Sequence, residues 1–408
     1  MLRSTLRHTR NALRQQRRLM SDGPMDELER TFVDPALILS TLQKGGVDFF
    51  AGVPDSLLKD FCAYVTDNVS PDQHKITANE GSSVAMACGS HFATGNVPFV
   101  YMQNSGLGNA VNPLLSLADR KVYAVPMVIM IGWRGEPGKK DEPQHIVQGD
   151  VLPGMLASMN LNFDVLPDYN EGAEACIKNA LNYTKENQTP TVILVRKRTF
   201  ETYKLQSSTH DFSNFPLTRE DAIENILGHL NEWDSVVGTT GFTSREIFEA
   251  RVKHGQGHDN DFLTVGSMGH ASAIALGIAT QKPSRQTYCI DGDGACLMHL
   301  GNLAAGGTSD QKNFKHILLN NGVHDSVGAQ GTCASGQQYS DVAKTLGYKS
   351  TKLVDNADDL NAAMEDFVQC DGPAFLEVNI RPGARSDLGR PTTTTHENKK
   401  NFMANLRM

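Results

Sequence analysis

The sequence lacks the paired cysteines that a zinc site or a disulfide framework would need. Seven cysteines lie singly along its 408 residues, and no two of them form a C-x-x-C motif. This odd number and scattered spacing predict reduced, mostly buried thiols. Long apolar runs are absent too, because no stretch approaches the roughly 18 apolar residues that a membrane-spanning helix needs. We therefore predict a soluble protein without a membrane partner.

Basic residues are not in excess, so a nucleic-acid-binding surface is not indicated. The chain has 38 Lys and Arg against 46 Asp and Glu, and its formal net charge is −8. Neutralising the phosphates of a nucleic acid needs a basic face, which this balance does not favour. We predict no nucleic-acid partner.

The first twenty residues differ from the rest of the chain in charge. The segment "MLRSTLRHTRNALRQQRRLM" contains six arginines and no acidic residue. Amphipathic, Arg-rich and acid-poor segments are typical of mitochondrial presequences. We interpret residues 1–25 as a targeting leader and expect a protein of the mitochondrial matrix. A disordered basic tail or a misplaced start codon is the alternative.

Strand-like and helix-like stretches alternate along most of the chain, which predicts the α/β class. Apolar runs such as "YAVPMVIMIGW" and "TPTVILVRK" are separated by helical patterns such as "EGAEACIKNALNYTKE". This order is typical of parallel sheets covered by helices on both faces. We predict two doubly wound domains at residues 31–200 and 217–382, a polar linker at 201–216 and a C-terminal tail at 383–408.

The common nucleotide-binding motifs are absent. The stretches "DGDGACLMHLGN" and "NSGLGNAVNP" both lack the third glycine of the dinucleotide fingerprint GxGxxG. The stretch "GWRGEPGKKDE" approaches a P-loop, but Trp133 replaces its first glycine and Lys140 replaces its Ser or Thr. Neither nucleotide-binding interpretation survives this comparison.

Two short polar motifs instead predict a site for a hard cation. Asp293 stands between Gly292 and Gly294 at the end of one apolar run, and Asn320 and Asn321 end the next run, with the helix-like "ACLMHLGNLAAGG" between them. Ligands bind at the carboxyl edge of such parallel sheets. Carboxylate, amide and carbonyl oxygens suit Mg²⁺, which usually completes its shell with phosphate oxygens.

This GDG and NN pattern resembles the thiamine diphosphate enzymes. The resemblance implies that Asp293, Asn321 and the main-chain carbonyl of Val323 hold Mg²⁺, and that Gly292 and Gly294 lie against the diphosphate of the cofactor. It also implies a two-domain thiamine diphosphate-binding fold, with a pyrimidine-binding domain at 31–200, a diphosphate-binding domain at 217–382, and no central third domain.

Two further stretches match what that family needs around the cofactor. In "ANEGSSVAMACGSHFATG", Glu80 opens a helix of small residues and is expected to hydrogen-bond the aminopyrimidine ring. In "TVGSMGHASAIALG", Met268 is expected to bend the cofactor, beside Ser267 and a backbone carbonyl at Gly266. A lone Met is usually core filler, and a Glu at a helix start can simply favour the N-terminus.

Stretches such as "AGVPDSLLKDFC", "LNNGVHDSVGAQGT" and "DLGRPTTTTHENKKNFM" narrow the resemblance to the phosphonopyruvate decarboxylase family. This resemblance covers nearly the whole chain after residue 30. It implies decarboxylation of 3-phosphonopyruvate, with the cofactor as the electron sink. The sister family of sulfopyruvate decarboxylases, or another 2-oxo acid decarboxylase, is the alternative. A non-catalytic thiamine-fold subunit is disfavoured because Glu80 and Asp293 are both present.

The resemblance also suggests roles for residues around the expected cleft. Asp55 and Ser56 match the position where related decarboxylases keep an acid for proton transfer, and His270 and His324 are weaker candidates. The candidates for binding the substrate anion are Arg134, Lys139, Lys140, His145, Arg385 and Arg390. Cations in surface loops are usually only solvated. The family further implies a homo-oligomer with active sites between subunits.

Overall fold

The computed structural model of the protein describes residues 32–207, 212–334 and 336–407. The predicted leader lies outside the described residues. Across these three ranges, no helix combines the length and the apolar character that crossing a membrane would require. The seven cysteines are all unpaired; four are buried, two are half-buried, and Cys333 is exposed.

The first half of the chain forms a six-stranded sheet in which all neighbouring strands are parallel. Its strands run in the order β2-β1-β3-β4-β6-β5. They are β1 (Phe50–Gly52), β2 (His74–Ile76), β3 (Phe99–Gln103), β4 (Met127–Gly132), β5 (Asn162–Val165) and β6 (Pro190–Val195). The helices are α1 (Pro35–Lys44), α2 (Lys59–Asn68), α3 (Glu80–Thr94), α4 (Leu107–Pro113), α5 (Pro143–Ser158) and α6 (Asn170–Asn187).

The second half forms another parallel six-stranded sheet, in the order β13-β14-β10-β9-β7-β8. Its strands are β7 (Ser235–Gly238), β8 (Asp261–Leu263), β9 (Thr287–Gly292), β10 (Phe314–Asn320), β13 (Ser350–Val354) and β14 (Ala374–Asn379). A two-stranded ribbon joins β11 (Val323–His324) and β12 (Gln330–Gly331). The helices are α7 (Arg219–His229), α8 (Phe242–Lys253), α9 (Ala271–Gln281), α10 (Asp293–Met298), α11 (Gly301–Gly307), α12 (Tyr339–Thr345), α13 (Ala357–Gln369) and α14 (Thr395–Asn405).

The two sheets have the same topology. When the strands of each sheet are counted in chain order, both sheets read 2-1-3-4-6-5. The strand order reverses between the first and third strands, and this point is where open α/β sheets bind ligands. The predicted fold class of two doubly wound parallel-sheet domains is confirmed. The GDG and NN motifs end β9 and β10, which are neighbours in the second sheet.

The central strands are buried on both faces, which explains why they read as continuous apolar runs. Every residue of β4, β6 and β10 is buried. Apolar side chains form separate clusters on the two faces of each sheet. Each half therefore has its own core. The polar residues at the strand ends are not part of these apolar clusters and are available to form a site.

One local prediction differs from the structure. The stretch after Asp293 forms two short helices rather than one, because His299, with φ −134° and ψ 53°, is not helical. The carbonyl of Met298 is instead 3.4 Å from the side-chain amide of Asn79 in the first half. The C-terminal tail contains helix α14, whose Asn398 hydrogen-bonds both backbone groups at the edge of β8, at Asp261 and Leu263.

Candidate active site

The second switch point carries a buried carboxylate. Gly292 ends β9, and Asp293 begins α10 with only 3% of its surface exposed. Its Oδ2 accepts a 2.6 Å hydrogen bond from the hydroxyl of Thr332. Burial raises the pKa of Asp293 to about 7, although hydrogen bonds from Thr332 and from backbone amides oppose that rise. In the described part of the chain, no basic side chain forms an ion pair with it.

Asn321 and Val323 lie beside this carboxylate and line the same open cavity. The Oδ1 of Asn321 accepts the backbone N–H of Val323 at 3.1 Å, and its Nδ2 donates to Asp325 at 2.7 Å. Asp293, Asn321 and the carbonyl of Val323 thus offer the oxygen donors that Mg²⁺ prefers. A buried carboxylate without a cationic partner is the environment that a divalent ion would match.

The same cavity fits a diphosphate. Thr239 lines it, and its buried hydroxyl makes no hydrogen bond among the described residues. A Cβ at Gly292 would have only Thr239 as a neighbour, at 4.0 Å, so the backbone there is open to a ligand. At Gly294 a Cβ would lie 2.7 Å from the ring of His324, so only glycine fits. Burial lowers the pKa of His324 to about 4, which keeps this ring neutral.

The stretch Gly266–Ser267–Met268 reaches this cavity through Met268. Met268 lines it, and its Cε is 3.4 Å from the Cβ position of Gly294. Ser267 has a left-handed backbone with a φ of 55°. Such strain in a residue other than glycine clusters at functional sites. His270 is half-buried, and its ring packs against His299 at a centroid distance of 4.2 Å.

Glu80 is the buried carboxylate of the first domain. Asn79 caps α3 by accepting the N–H of Ser82, and Glu80 follows with 4% of its surface exposed. Its Oε2 accepts a 2.8 Å hydrogen bond from Asn109. Burial raises the pKa of Glu80, and this hydrogen bond opposes the rise. A Cβ at Gly106 would lie 2.1 Å from Oε1, so the turn after β3 must be glycine there.

The helices that begin with Glu80 and Asp293 meet within one chain. The contact between Asn79 and Met298 joins them, and Cys333 donates its thiol to the carbonyl of Ile76 at 3.0 Å. The predicted pyrimidine-binding and metal-binding groups therefore belong to adjacent elements. The family resemblance implies that the two groups serving one cofactor come from different subunits, and this stays a prediction.

Asp55 and Ser56 lie at the switch point of the first sheet. Asp55 is fully buried and accepts hydrogen bonds from Gln103 Nε2 at 2.6 Å and from the N–H of Leu57 at 2.8 Å. Burial raises the pKa of Asp55, although these hydrogen bonds and the charge of Arg134 oppose the rise. The Oγ of Ser56 accepts a 2.8 Å hydrogen bond from Arg134.

The predicted substrate cations have different environments. Arg134 is held by Asp141 through two of its nitrogens, and Lys139 and Lys140 are exposed. His145 is half-buried, and burial lowers its pKa, so the ring is favoured in its neutral form. Only Arg134 is therefore both charged and held in place within this loop.

The two tail arginines form ion pairs. Arg385 contacts Glu220, Glu249 and Asp387, and Arg390 contacts Glu142 of the first half. Their charges are thus matched by carboxylates. Their contact with substrate stays a prediction.

Sequence reasoning missed several residues that support the site. They are Asn109, which binds Glu80; Thr332, which binds Asp293; and Asp325 with Arg219, which lie behind Asn321. Asn109 lies in the glycine-rich stretch "NSGLGNAVNP". The signal available in the sequence was a polar residue one helical turn after Gly106. The contacts of the other three depend on the folded loop after β10.

Comparison with known proteins matches both halves. The family model described as thiamine pyrophosphate enzyme, N-terminal TPP binding domain, matches residues 35–153. The model described as thiamine pyrophosphate enzyme, C-terminal TPP binding domain, matches residues 238–378. The first match includes Glu80, and the second includes Asp293 and Asn321.

Three curated relatives align along most of the chain. A phosphonopyruvate decarboxylase of Streptomyces hygroscopicus is 33% identical over 378 residues, which cover 90% of this chain and 92% of the relative. Another, from Streptomyces viridochromogenes, is 33% identical over 88% of this chain and 91% of the relative. A sulfopyruvate decarboxylase of Methanosarcina acetivorans is 26% identical over 85% of this chain and 91% of the relative.

Proposed function

Because this chain belongs to the phosphonopyruvate decarboxylase family of thiamine pyrophosphate enzymes, we propose that it decarboxylates 3-phosphonopyruvate to phosphonoacetaldehyde and carbon dioxide. It is a carboxy-lyase that depends on thiamine diphosphate and a divalent metal, which we propose to be Mg²⁺. The observation that carries this proposal is the alignment over about nine-tenths of the chain together with the intact set of Glu80, Asp293 and Asn321.

The residues of the second domain would hold the cofactor. Asp293, Asn321 and the carbonyl of Val323 would bind the metal, and the metal would bind the diphosphate. The hydroxyl of Thr239 is available to a phosphate oxygen. When bound, thiamine diphosphate supplies the electron sink that the departing CO₂ requires. The protein supplies the orientation and the local electrostatics.

Two buried carboxyl groups of the first domain are suited to move protons. Glu80 would hold a proton at its carboxylate and exchange it with the cofactor ring, since its raised pKa brings the group closer to neutral pH. Asp55 also has a raised pKa and lies beside Ser56 and Arg134. We assign Asp55 to proton transfer at the substrate, and Ser56 to the same step through Arg134.

The loop after β4 would recognise the phosphonate. A phosphonate has three oxygens and nearly two negative charges at neutral pH, so a guanidinium and nearby ammonium groups favour it over a methyl group. Arg134 would bind it directly, with Lys139, Lys140 and His145 from the same loop and Arg385 and Arg390 from the tail as further candidates. Pyruvate has a hydrogen atom in place of the phosphonate group and would gain none of these charged contacts.

The assay that tests this proposal compares three 2-oxo acids with one cofactor-loaded preparation. We expect kcat/KM to be highest for phosphonopyruvate, with phosphonoacetaldehyde identified by phosphorus NMR. Sulfopyruvate matches the shape but carries one charge less, and it should be a poor substrate or an inhibitor. If sulfopyruvate ranks first, the activity belongs to the sister family. If none of the three acids turns over while cofactor binds, the protein is a non-catalytic subunit.

We also propose a homo-oligomer with active sites between subunits. Exposed apolar side chains on the first domain support association, and two of them, Phe92 and Tyr123, pack together with ring centroids 6.1 Å apart. Contiguous exposed apolar side chains often mark protein interfaces. Ultracentrifugation should show at least a dimer, and mixing Glu80→Gln with Asp293→Ala protein should restore activity. A dimer whose mixed form stays inactive would place both residues in one chain, and a fully active monomer would refute the oligomer.

We further propose that the protein acts in phosphonate biosynthesis in the mitochondrial matrix. The support for the location is the six arginines and the lack of acidic residues in the first twenty positions. A full-length fluorescent fusion should enter mitochondria and lose its leader, as measured by mass spectrometry of the N-terminus. A cytosolic fusion with an intact N-terminus would contradict this.

A further inference from the structure

The hydrogen bonds behind Asn321 point to a residue that acts through the metal ligand. We propose that Asp325 is a positioning residue that holds the amide of Asn321 with its oxygen, and not its nitrogen, toward the metal; this inference rests on the proposed function. The contact that carries it is the 2.7 Å hydrogen bond from Asn321 Nδ2 to Asp325 Oδ2.

An asparagine amide has two ends of similar size but opposite chemistry. The oxygen can bind a cation, whereas the NH₂ group is a donor and repels one. A carboxylate only accepts hydrogen bonds, so Asp325 selects the NH₂ end of Asn321. The N–H of Val323 selects the oxygen end at 3.1 Å, which leaves a second lone pair on Oδ1. Both contacts therefore favour the orientation that a metal ligand needs.

Asp325 is itself fixed by other donors. Its Oδ2 also accepts Arg219 Nη1 at 2.9 Å, and its Oδ1 accepts the N–H of Gly383 at 3.0 Å. Its side chain is 7% exposed. Because three donors already occupy its oxygens, Asp325 serves as a support for Asn321 and not as a direct metal ligand.

Arg219 completes the support. It donates to both oxygens of Glu246, at 2.9 and 3.2 Å, and to the carbonyl of Gly383 at 3.1 Å. Burial would lower the pKa of Arg219, but its ion pairs with Glu246 and Asp325 raise it above the usual value. Arg219 therefore stays charged and keeps its ion pairs. A continuous chain of contacts runs from Glu246 through Arg219 and Asp325 to Asn321.

This chain of contacts also ties the C-terminal tail to the metal site. Gly383 gives both its N–H and its carbonyl to the pair, and its φ is 114°, which only glycine adopts without strain. The tail segment that follows strand β14 thereby contacts the residues behind the loop of the NN motif. Partners that orient a ligand in this way typically change metal affinity by about 10–100-fold when they are removed.

The experiment measures Mg²⁺ affinity by calorimetry in the presence of saturating thiamine diphosphate. Asp325→Ala should raise the Kd for Mg²⁺ by about 10–100-fold. Asp325→Asn should have a smaller effect because its oxygen can still accept from Asn321, and Gly383→Ala should fall between this variant and wild type. At saturating Mg²⁺ we expect kcat to return toward the wild-type value, so the loss lies in metal affinity.

The control is a buried ion pair of similar geometry elsewhere in the second domain. Arg251 and Asp261 form two hydrogen bonds, at 3.0 and 3.1 Å, with 8% and 0% of their side chains exposed. Asp261→Asn should lower the melting temperature as much as the Asp325 variants do, without changing Mg²⁺ affinity. Weakened Mg²⁺ binding in the Asp325 variants alone is the expected result.

Unchanged Mg²⁺ affinity in Asp325→Asn and Asp325→Ala would overturn the inference and leave Asp325 with a structural role only. If Asp325→Ala does not fold, Asp325→Asn and Gly383→Ala still give the measurement. Binding does not depend on turnover. A wild-type protein that binds Mg²⁺ and thiamine diphosphate but does not decarboxylate phosphonopyruvate would therefore refute the proposed function alone.

Discussion

The two sheets share one topology, but their switch points hold carboxylates in different electrostatic environments. In the first sheet, Asp55 is buried, its oxygens accept hydrogen bonds from Gln103 and from backbone amides, and Arg134 lies nearby. In the second, Asp293 is equally buried but accepts only a hydroxyl and backbone donors, and burial raises its pKa to about 7. The charge of Arg134 therefore acts on the first carboxylate, whereas among the described residues no basic side chain forms an ion pair with the second.

This difference assigns the chemistry to the two domains. A buried carboxylate is stable as an anion only when a positive charge or enough donors lie beside it. In the proposed function, a bound metal would supply that charge in the second domain, which suits a cofactor carried through its diphosphate. The first domain supplies a fixed arginine and proton-holding groups, which suit the substrate and the pyrimidine ring. Equal topology therefore does not imply equal function.

Replacing Asp293 should have the largest effect. Asp293→Ala removes the carboxylate that the metal needs, and we expect turnover to fall by at least about 10³-fold, since metal stabilisation is worth several kcal/mol. Calorimetry should show that Mg²⁺-dependent binding of thiamine diphosphate is lost. Circular dichroism should match wild type, because the substitution removes a buried charge. Unchanged cofactor affinity would show that the metal lies elsewhere.

Replacing Glu80 should affect chemistry but not metal binding. Glu80→Gln keeps the shape and a contact with Asn109, but it cannot exchange a proton. Turnover should fall by about 10²-fold or more, as for the loss of a general acid or base. The Kd for Mg²⁺ should stay at the wild-type value, in contrast to Asp293→Ala. If both variants lost metal binding equally, Glu80 and Asp293 would not have the different roles assigned to them.

Arg134 should control substrate binding. Arg134→Met keeps the length of the side chain but removes the charge, and we expect KM for phosphonopyruvate to rise by about 10–100-fold, as for a lost charged hydrogen bond. The Kd for Mg²⁺ should not change. Asp141→Asn serves as a comparison, because it weakens the partner of Arg134 and keeps the cation. An unchanged KM in Arg134→Met would exclude direct recognition.

The pH dependence of stability should differ between metal-free and metal-loaded protein. The carboxyl of Asp293 has a pKa of about 7 when folded and near its ordinary value of 3.8 when unfolded. The folded state then binds the extra proton, so this group stabilises the metal-free protein below about pH 4, and that contribution is lost as the pH rises toward 7. Melting temperatures measured from pH 4 to 8 should fall less for Asp293→Asn than for wild type, because the variant keeps the other buried carboxyl groups with raised pKa values, such as Asp261.

Added Mg²⁺ with thiamine diphosphate should reverse that fall, because the ion matches the ionised carboxylate. The stabilisation by the cofactors should therefore be larger at pH 8 than at pH 5. The same gain at both pH values would contradict the assignment of Asp293 as the group that titrates.

The exposed lysines should have the smallest effects. Lys139→Ala and Lys140→Ala each remove a solvated charge from the loop after β4, and charges of this kind are strongly screened. KM should rise by about twofold to fivefold at low salt and return to the wild-type value near 0.5 M salt, where screening lengths are only a few Å. A salt-independent effect as large as that of Arg134→Met would place either lysine against the substrate.

The sequence was informative where local chemistry decides structure. Short apolar runs that end in glycine, aspartate or asparagine predict buried strands and their ligand edge, and the positions of Asp293 and Asn321 follow from that rule. The capping residue Asn79 likewise belongs to a pattern that starts a helix at Glu80. Predicting the fold class and these strand ends required no knowledge of contacts between distant parts of the chain.

The supporting contacts could not be predicted because they join distant parts of the chain. Asp325 lies 106 residues from Arg219, and Thr332 lies 39 residues from Asp293. No periodicity relates such positions, and a loop must fold before they meet. The charge of Arg134 was evident, but its pairing with Asp141 depends on the turn between them. Met298, after which the helix breaks, contacts Asn79, which lies 219 residues away.

The most direct test of the different roles assigned to the two domains is to locate the metal in a crystal structure. Crystals grown with thiamine diphosphate and Mn²⁺ in place of Mg²⁺ would give an anomalous scattering peak. We predict that the ion at this peak contacts Asp293, Asn321 and the carbonyl of Val323, with diphosphate oxygens completing the shell. Cys289, Asp291 and His316 form a different, fully buried group of ligand atoms within 4.8 Å of one another. A peak at that group, with none at Asp293, would contradict the account.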